Sequence, residues 1–163
     1  MKQLKLHFSG FFSKTPKIKS FTFVEKNCKK EKGESKMLNL LTKICEETES
    51  EFIEKEKDSL YIFNFTEDIQ VGIKATYENI CFYSRIYPCP KEKREELFSY
   101  LMRANLIGNG TGKCSIGVDK EEKFLTLVHS LPYEDNYELF KESLEEFLNY
   151  LVYWEEEVKK YLR

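Results

Sequence analysis

Chemistry in this chain would have to come from a glycine-rich stretch, from a histidine with neighbouring nucleophiles, or from its many carboxylates. Gly108-Asn-Gly-Thr-Gly-Lys113 has the composition of a phosphate-cradling loop. Such a loop follows a strand and opens a helix, so that the helix N-terminus faces the anion. Here a helical pattern precedes the glycines, a strand pattern follows them, and Cys114 stands where Ser or Thr would bind the metal. The stretch reads as a helix stop and the start of a strand. His129 adjoins Ser130, and Cys114 is a second conceivable nucleophile. Nothing supplies the orienting acid that a nucleophile–base pair needs, and His129 alternates with Leu127 and Leu131 as a structural histidine would. The carboxylates come as neighbours: Glu46-Glu47, Glu95-Glu96, Glu145-Glu146 and Glu155-Glu-Glu157. Adjacent helical positions diverge by about 100°, so these form solvated faces rather than converging acid–base pairs.

The five cysteines (Cys28, Cys45, Cys81, Cys89 and Cys114) are odd in number and contain no C-x-x-C pair. With only His7 and His129 beside them, no zinc site is expected, and no cofactor. Scattered free thiols suit a reducing, cytoplasmic setting. No run of 18 apolar residues occurs, and the N-terminus lacks a continuous apolar core with a cleavage site, so neither a membrane span nor a secretory signal is expected. Tyr61, Phe63 and Phe65 share a strand parity, with Phe82 nearby, and could stack bases. Their neighbours are Asp58, Glu67 and Asp68 rather than lysines, which argues against nucleic acid as a partner.

The elements that would position these residues follow from periodicity. Of 163 residues, 41% are hydrophobic and 15% aromatic, enough for one folded domain with a core. The net charge of −2 hides an asymmetry: residues 1–34 hold nine Lys against three Glu, while the rest hold 17 basic against 25 acidic groups. Residues 1–34 form a basic N-terminal extension in which Leu4-Lys-Leu6-His-Phe8 and Phe21-Thr-Phe23 alternate as short strands do, and 35–163 form the domain. Ser35 is a candidate N-cap for a helix through Met37, Leu40, Leu41, Ile44, Thr48 and Phe52, ending near Lys55. Leu60–Phe65, Val71–Ala75 and Ile80–Tyr87 form an antiparallel meander closed by Pro88 and Pro90. A second helix over 91–107 precedes the glycines. The hairpin Cys114–Val118 and Phe124–His129 turns at Asp119, and a last helix, capped by Asp135 or Asn136, runs past Trp154. The order is α-β-β-β-α-β-β-α, an α+β sheet packed by three helices. Both parities of Leu60–Phe65 are apolar, so a sheet covered on one face only would be left with apolar surface for a partner.

From about Met37 to Leu162 the chain resembles the class I type III secretion chaperones, the Tir-chaperone family. The resemblance rests on Leu101-Met-Arg-Ala-Asn-Leu106, Gly117-Val-Asp119 at a tight turn, Leu125-Thr-Leu127, Leu131-Pro132 and a terminal helix with Trp154, in that order. It implies a non-catalytic, bacterial cytoplasmic chaperone, dimeric and independent of ATP, that binds the extended N-terminal region of secreted effectors and keeps them competent for export. In that family the second helix and the hairpin beside it form the dimer interface, which places Leu97, Leu101, Ala104, Asn105, Leu106, Ile116 and Val118 at the seam. The partner chain would be a second copy or, as an alternative, a related chaperone. The cargo would lie in extended form against Leu41, Ile44, Phe63, Phe65, Ile73 and Phe82, adding a strand to the sheet edge. The basic extension has no counterpart in the family pattern. A regulatory adaptor of the same fold, binding a transcription or export-apparatus protein, is the alternative function.

Overall fold

The alternating apolar runs become strands whose pairing sorts the two parities onto opposite faces. A computed structural model of the chain describes residues 32–48, 52–55, 60–65, 69–76, 78–108, 110–132 and 136–163. The strands expected within the N-terminal extension, the Thr66–Asp68 turn and the Asp135 cap lie outside the described residues. In chain order come α1 (Lys32–Thr48), β1 (Phe52–Lys55), β2 (Leu60–Asn64), β3 (Gln70–Ala75) and β4 (Asn79–Pro88). Next are α2 (Arg94–Asn105), a 3₁₀ turn (Leu106–Gly108), β5 (Ser115–Val118), β6 (Phe124–Pro132) and α3 (Tyr137–Leu162). All pairings are antiparallel, in the order β1-β2-β3-β4-β6-β5. The expected order α-β-β-β-α-β-β-α is present, with β1 as an added short strand ahead of the meander.

Register explains the core. Phe63 faces Val71, Ile73 faces Phe82, Phe82 faces His129, and Ile116 faces Leu127; all are buried on the helix side. Phe140 and Phe147 of α3 meet Phe82 edge-on at 5.6 and 5.8 Å. Each such side chain, fully removed from water, contributes about 1.5–3 kcal/mol. Along α3 the buried positions Phe140, Leu144, Phe147, Leu148, Leu151, Trp154 and Val158 recur at three- and four-residue steps, and Asn136 caps it by accepting from Leu139 N–H at 3.2 Å. Lys141 Nζ donates to Glu47 at 2.6 Å and ties α3 to α1. The opposite parity forms a row across five strands, Ile62–Gly72–Tyr83–Val128–Ser115, with Tyr83 and Val128 exposed.

Two local expectations are corrected. The first helix starts at Lys32, so Ser35 lies inside it, and it stops at Thr48. Phe52 matches the helical spacing by coincidence. It belongs to β1, where its ring stacks on Phe63 at 5.7 Å and meets Tyr61 edge-on at 5.6 Å. The second helix begins at Arg94 because Lys93 adopts a left-handed conformation (φ 53°).

Candidate functional site

The two edges of the sheet are where backbone groups can meet another chain, and they are built differently. At the β5 edge stands Asn105, the last residue of α2. Its Nδ2 donates to Ile116 O at 2.8 Å, and its Oδ1 accepts from Ile116 N–H at 2.8 Å. One side-chain amide thus satisfies both outward groups of Ile116, as a neighbouring strand would. The segment before β5 is shaped to hold Asn105 there. Gly110 N–H donates to Ala104 O at 3.0 Å, and Trp154 Nε1 donates to Gly110 O at 3.0 Å. A Cβ at Gly110 would stand 2.9 Å from Ala104 Cβ and 3.1 Å from Trp154 Cζ2, so glycine is required by close approach. Gly112 (φ 58°) packs under Tyr150, and its N–H donates to Gly108 O at 2.9 Å. These loop amides have partners within the chain, in agreement with a helix stop rather than a phosphate cradle.

Of the residues expected at a dimer seam, Leu97, Leu101 and Ile116 are buried within the protomer, and Ala104 and Asn105 are half-buried in the contacts just described. Leu106 and Val118 are exposed. Met102, one turn before Leu106, is 72% exposed, and Leu106 is 62% exposed. Met102 stands within the Leu101-Met-Arg-Ala-Asn-Leu106 pattern but is not among the residues expected at the seam. Two long apolar side chains in water, on an element locked to an edge strand, make a patch suited to another protein surface.

At the other edge β1 pairs with β2 and with no other described strand. The six positions expected to touch cargo lie on α1, on β2 to β4 and at Phe65 just after β2. Leu41, Ile44, Phe63, Phe65, Ile73 and Phe82 are each at most 1% exposed, so they form the floor of the domain and not a surface. Leu41 and Ile44 lie on the buried stripe of α1 and the other four face the core from the sheet, where Phe52 packs on Phe63, while Leu60 and Ile62 of the opposite parity remain half-buried. In the sequence, residues 46–68 hold nine acidic and two basic side chains.

The chemical candidates are separated or inert. His129 Nδ1 donates to Lys113 O at 3.1 Å, which fixes the tautomer, and Ser130 points to the opposite face, where Cys81 Sγ lies 3.8 Å from its Oγ. Burial pushes the Cys114 thiol up to about 12, with Glu146 adding to the effect, so it stays protonated. Burial, then the nearby Glu47 carboxylate, raises the Tyr137 hydroxyl. Among the described residues no group of three His, Cys, Asp or Glu side chains could hold a metal ion, and no helix is long and apolar enough to cross a membrane.

A six-stranded antiparallel sheet packed by helices defines an α+β fold in which, among the described strands, β1 and β5 stand at the ends of the order and Asn105 holds Ile116 of β5. Residues 39–155 match the model of the Tir chaperone protein (CesT) family, and the chain belongs to that family. Solved structures agree in fold. The HopA1-SchA chaperone–effector complex contains a chain similar over 77% of this one and 98% of its own length, with a TM-score of 0.62 and 14% identity. A chain of the ExsC-ExsE complex matches over 75% of this chain and 92% of its own, with a TM-score of 0.60 and 14% identity. YbjN from E. coli matches over 70% and 86%, with a TM-score of 0.53 and 16% identity. A search of curated proteins by sequence finds no match.

Proposed function

We propose that this protein is a cytoplasmic chaperone that acts by binding, without catalysis, and keeps the extended N-terminal region of a type III secretion effector competent for export. Family membership supports the class, and the HopA1-SchA complex shows a similar fold holding an effector. The observation that carries the reading for this chain is the asymmetry of the sheet. At β5 the Asn105 amide already occupies both outward backbone groups of Ile116, while β1 has no second described neighbour.

An extended cargo segment adds to β1 through main-chain hydrogen bonds, which give affinity for many sequences. Alternate side chains settle beside Phe52, Leu60 and Ile62 and give selectivity. Because cargo bound this way is ordered only on binding, part of the contact energy offsets its lost entropy, and it can be released for export. Met102, Leu106 and Val118 form the seam with a second copy, so that two β1 edges face outward from one dimer. Co-expression with the product of the adjacent gene tests this. The expected result is a complex of two chaperone chains with one effector whose N-terminal segment resists protease. A strictly monomeric protein at micromolar concentration that captures no neighbouring product contradicts it.

A further inference from the structure

We propose that the outward row of the sheet centred on Tyr83 and Val128 docks an amphipathic helix of another protein, one whose apolar residues are flanked by carboxylates two turns apart. The row uses residues of neither the β1 edge nor the Met102 patch, so it stands or falls without the cargo reading.

Register brings the apolar pair together. Tyr83 stands directly opposite Val128 across β4 and β6, and the two are 39% and 37% exposed. On its other flank Tyr83 faces Gly72 of β3, which in turn faces Ile62 of β2. A Cβ at Gly72 would stand 3.3 Å from Leu60 Cδ1 and 3.8 Å from Tyr83 Cδ1. The glycine therefore leaves a low point between half-buried Leu60 and the Tyr83 ring. Single exposed apolar side chains are ordinary, but a cross-strand pair beside such a low point makes a contiguous patch.

Charge selects the partner. Lys74 and Arg85 are exposed, share the parity of Tyr83, and are the only charged side chains at the outward positions of β3 to β6. The Arg85 guanidinium lies 4.2 Å from the centroid of the Phe124 ring, which holds it in place without neutralising it. Among the described residues no carboxylate pairs with either cation. Residues 35–163 carry 25 acidic against 17 basic groups, so a purely cationic row runs against the character of the domain. Carboxylates are the groups these two side chains take, and the planar fork of Arg85 suits one best.

Spacing selects the form. Lys74 faces Cys81, four residues before Arg85 on the neighbouring strand, with Tyr83 between them. The two cations are thus about 14 Å apart, from roughly 3.3 Å per residue along a strand and about 4.8 Å between strands. A strand laid flat on this face leaves its own backbone groups unpaired, whereas a helix satisfies them internally. Helical glutamates at i and i+7 are about 11 Å apart on one face, and the long Lys74 and Arg85 side chains close the difference. Apolar residues at i+3 and i+4 then rest on Tyr83 and Val128.

Fluorescence anisotropy on the full chain tests this with a labelled Ala/Gln helical peptide bearing Glu at i and i+7 and Leu at i+3 and i+4. Binding to the wild type is expected, and Lys74→Glu/Arg85→Glu should weaken it about ten-fold or more. A peptide with Lys in place of Glu should show the reverse preference, binding the double variant about ten-fold more tightly than the wild type. No binding to the wild type, or no reversal on charge exchange, overturns the proposal. Equal binding of a Glu peptide with Gln in place of Leu also overturns it, since the row is then attracting any polyanion. Tyr83→Asp should weaken the Glu/Leu peptide and leave the oligomeric state unchanged by sedimentation equilibrium. A change in oligomeric state assigns the row to a second copy of the chain and overturns the helix reading. The charge exchange decides the matter alone if melts show that Tyr83→Asp folds poorly.

Discussion

At the β5 edge the chain commits a side chain to its own backbone, while β1, at the other end of the sheet, pairs among the described strands with β2 alone. The Asn105 amide holds Ile116 from both sides, and Ala104, Gly110 and Trp154 hold Asn105 in place through one chain of contacts. What this edge offers outward is apolar side-chain surface, Met102 and Leu106. At the other end β1 pairs among the described strands with β2 alone, and its Phe52 ring packs on Phe63 and Tyr61. The difference teaches how one small sheet avoids pairing with itself. Side-chain surface suits a rigid, self-complementary seam, and open backbone suits a partner that arrives as a strand.

The closed edge breaks most severely at its base. Trp154→Ala removes a fully buried ring and the donor to Gly110, and should cost about 3–5 kcal/mol, a fall in Tm of roughly 10 °C by thermal denaturation. Asn105→Ala leaves both groups of Ile116 unpaired and should cost about 1–3 kcal/mol, with faster exchange at 115–118. Asn105→Asp keeps the acceptor for Ile116 N–H but loses the donor, so it should fall between the two proteins. Met102→Asp with Leu106→Asp alters exposed positions and should change folding by no more than about 0.5 kcal/mol. Sedimentation equilibrium should nevertheless show the dimer dissociating at least 100-fold more readily. The smallest effect lies at the Glu47–Lys141 tie. Hydrogen bonding to Lys141 holds the Glu47 carboxyl below its usual range, so its contribution is present at neutral pH and is lost as pH falls through that lowered value. Glu47→Gln should flatten this acid limb in a series of melts from pH 7 to pH 3.

Much of this was legible in the sequence because it repeats. The three- and four-residue steps from Phe140 to Val158 produced α3, and the turn at Asp119 is made as its position suggested, with Oδ1 accepting from the N–H groups of Lys123 and Phe124. Phe52 misled because 48 to 52 is a helical step, and only the sheet reveals that its ring belongs with Phe63 and Tyr61. That the expected cargo positions Phe63 and Phe65 lie in the core was hidden for a related reason. Both parities of Leu60–Phe65 are apolar, so the sequence cannot say which faces the helices. Asn105 stood out as part of Ala104-Asn105-Leu106, but its action is a contact with a residue 11 positions later, across a loop whose path periodicity does not encode.

Photo-crosslinking tests the division of labour between the edges most directly. A photoreactive phenylalanine analogue at position 52 or at position 106, in the chaperone co-expressed with the effector of the adjacent gene, reports what lies against each edge. The account predicts an effector adduct from position 52 and a chaperone–chaperone adduct from position 106. An effector adduct from 106 with none from 52 would contradict it.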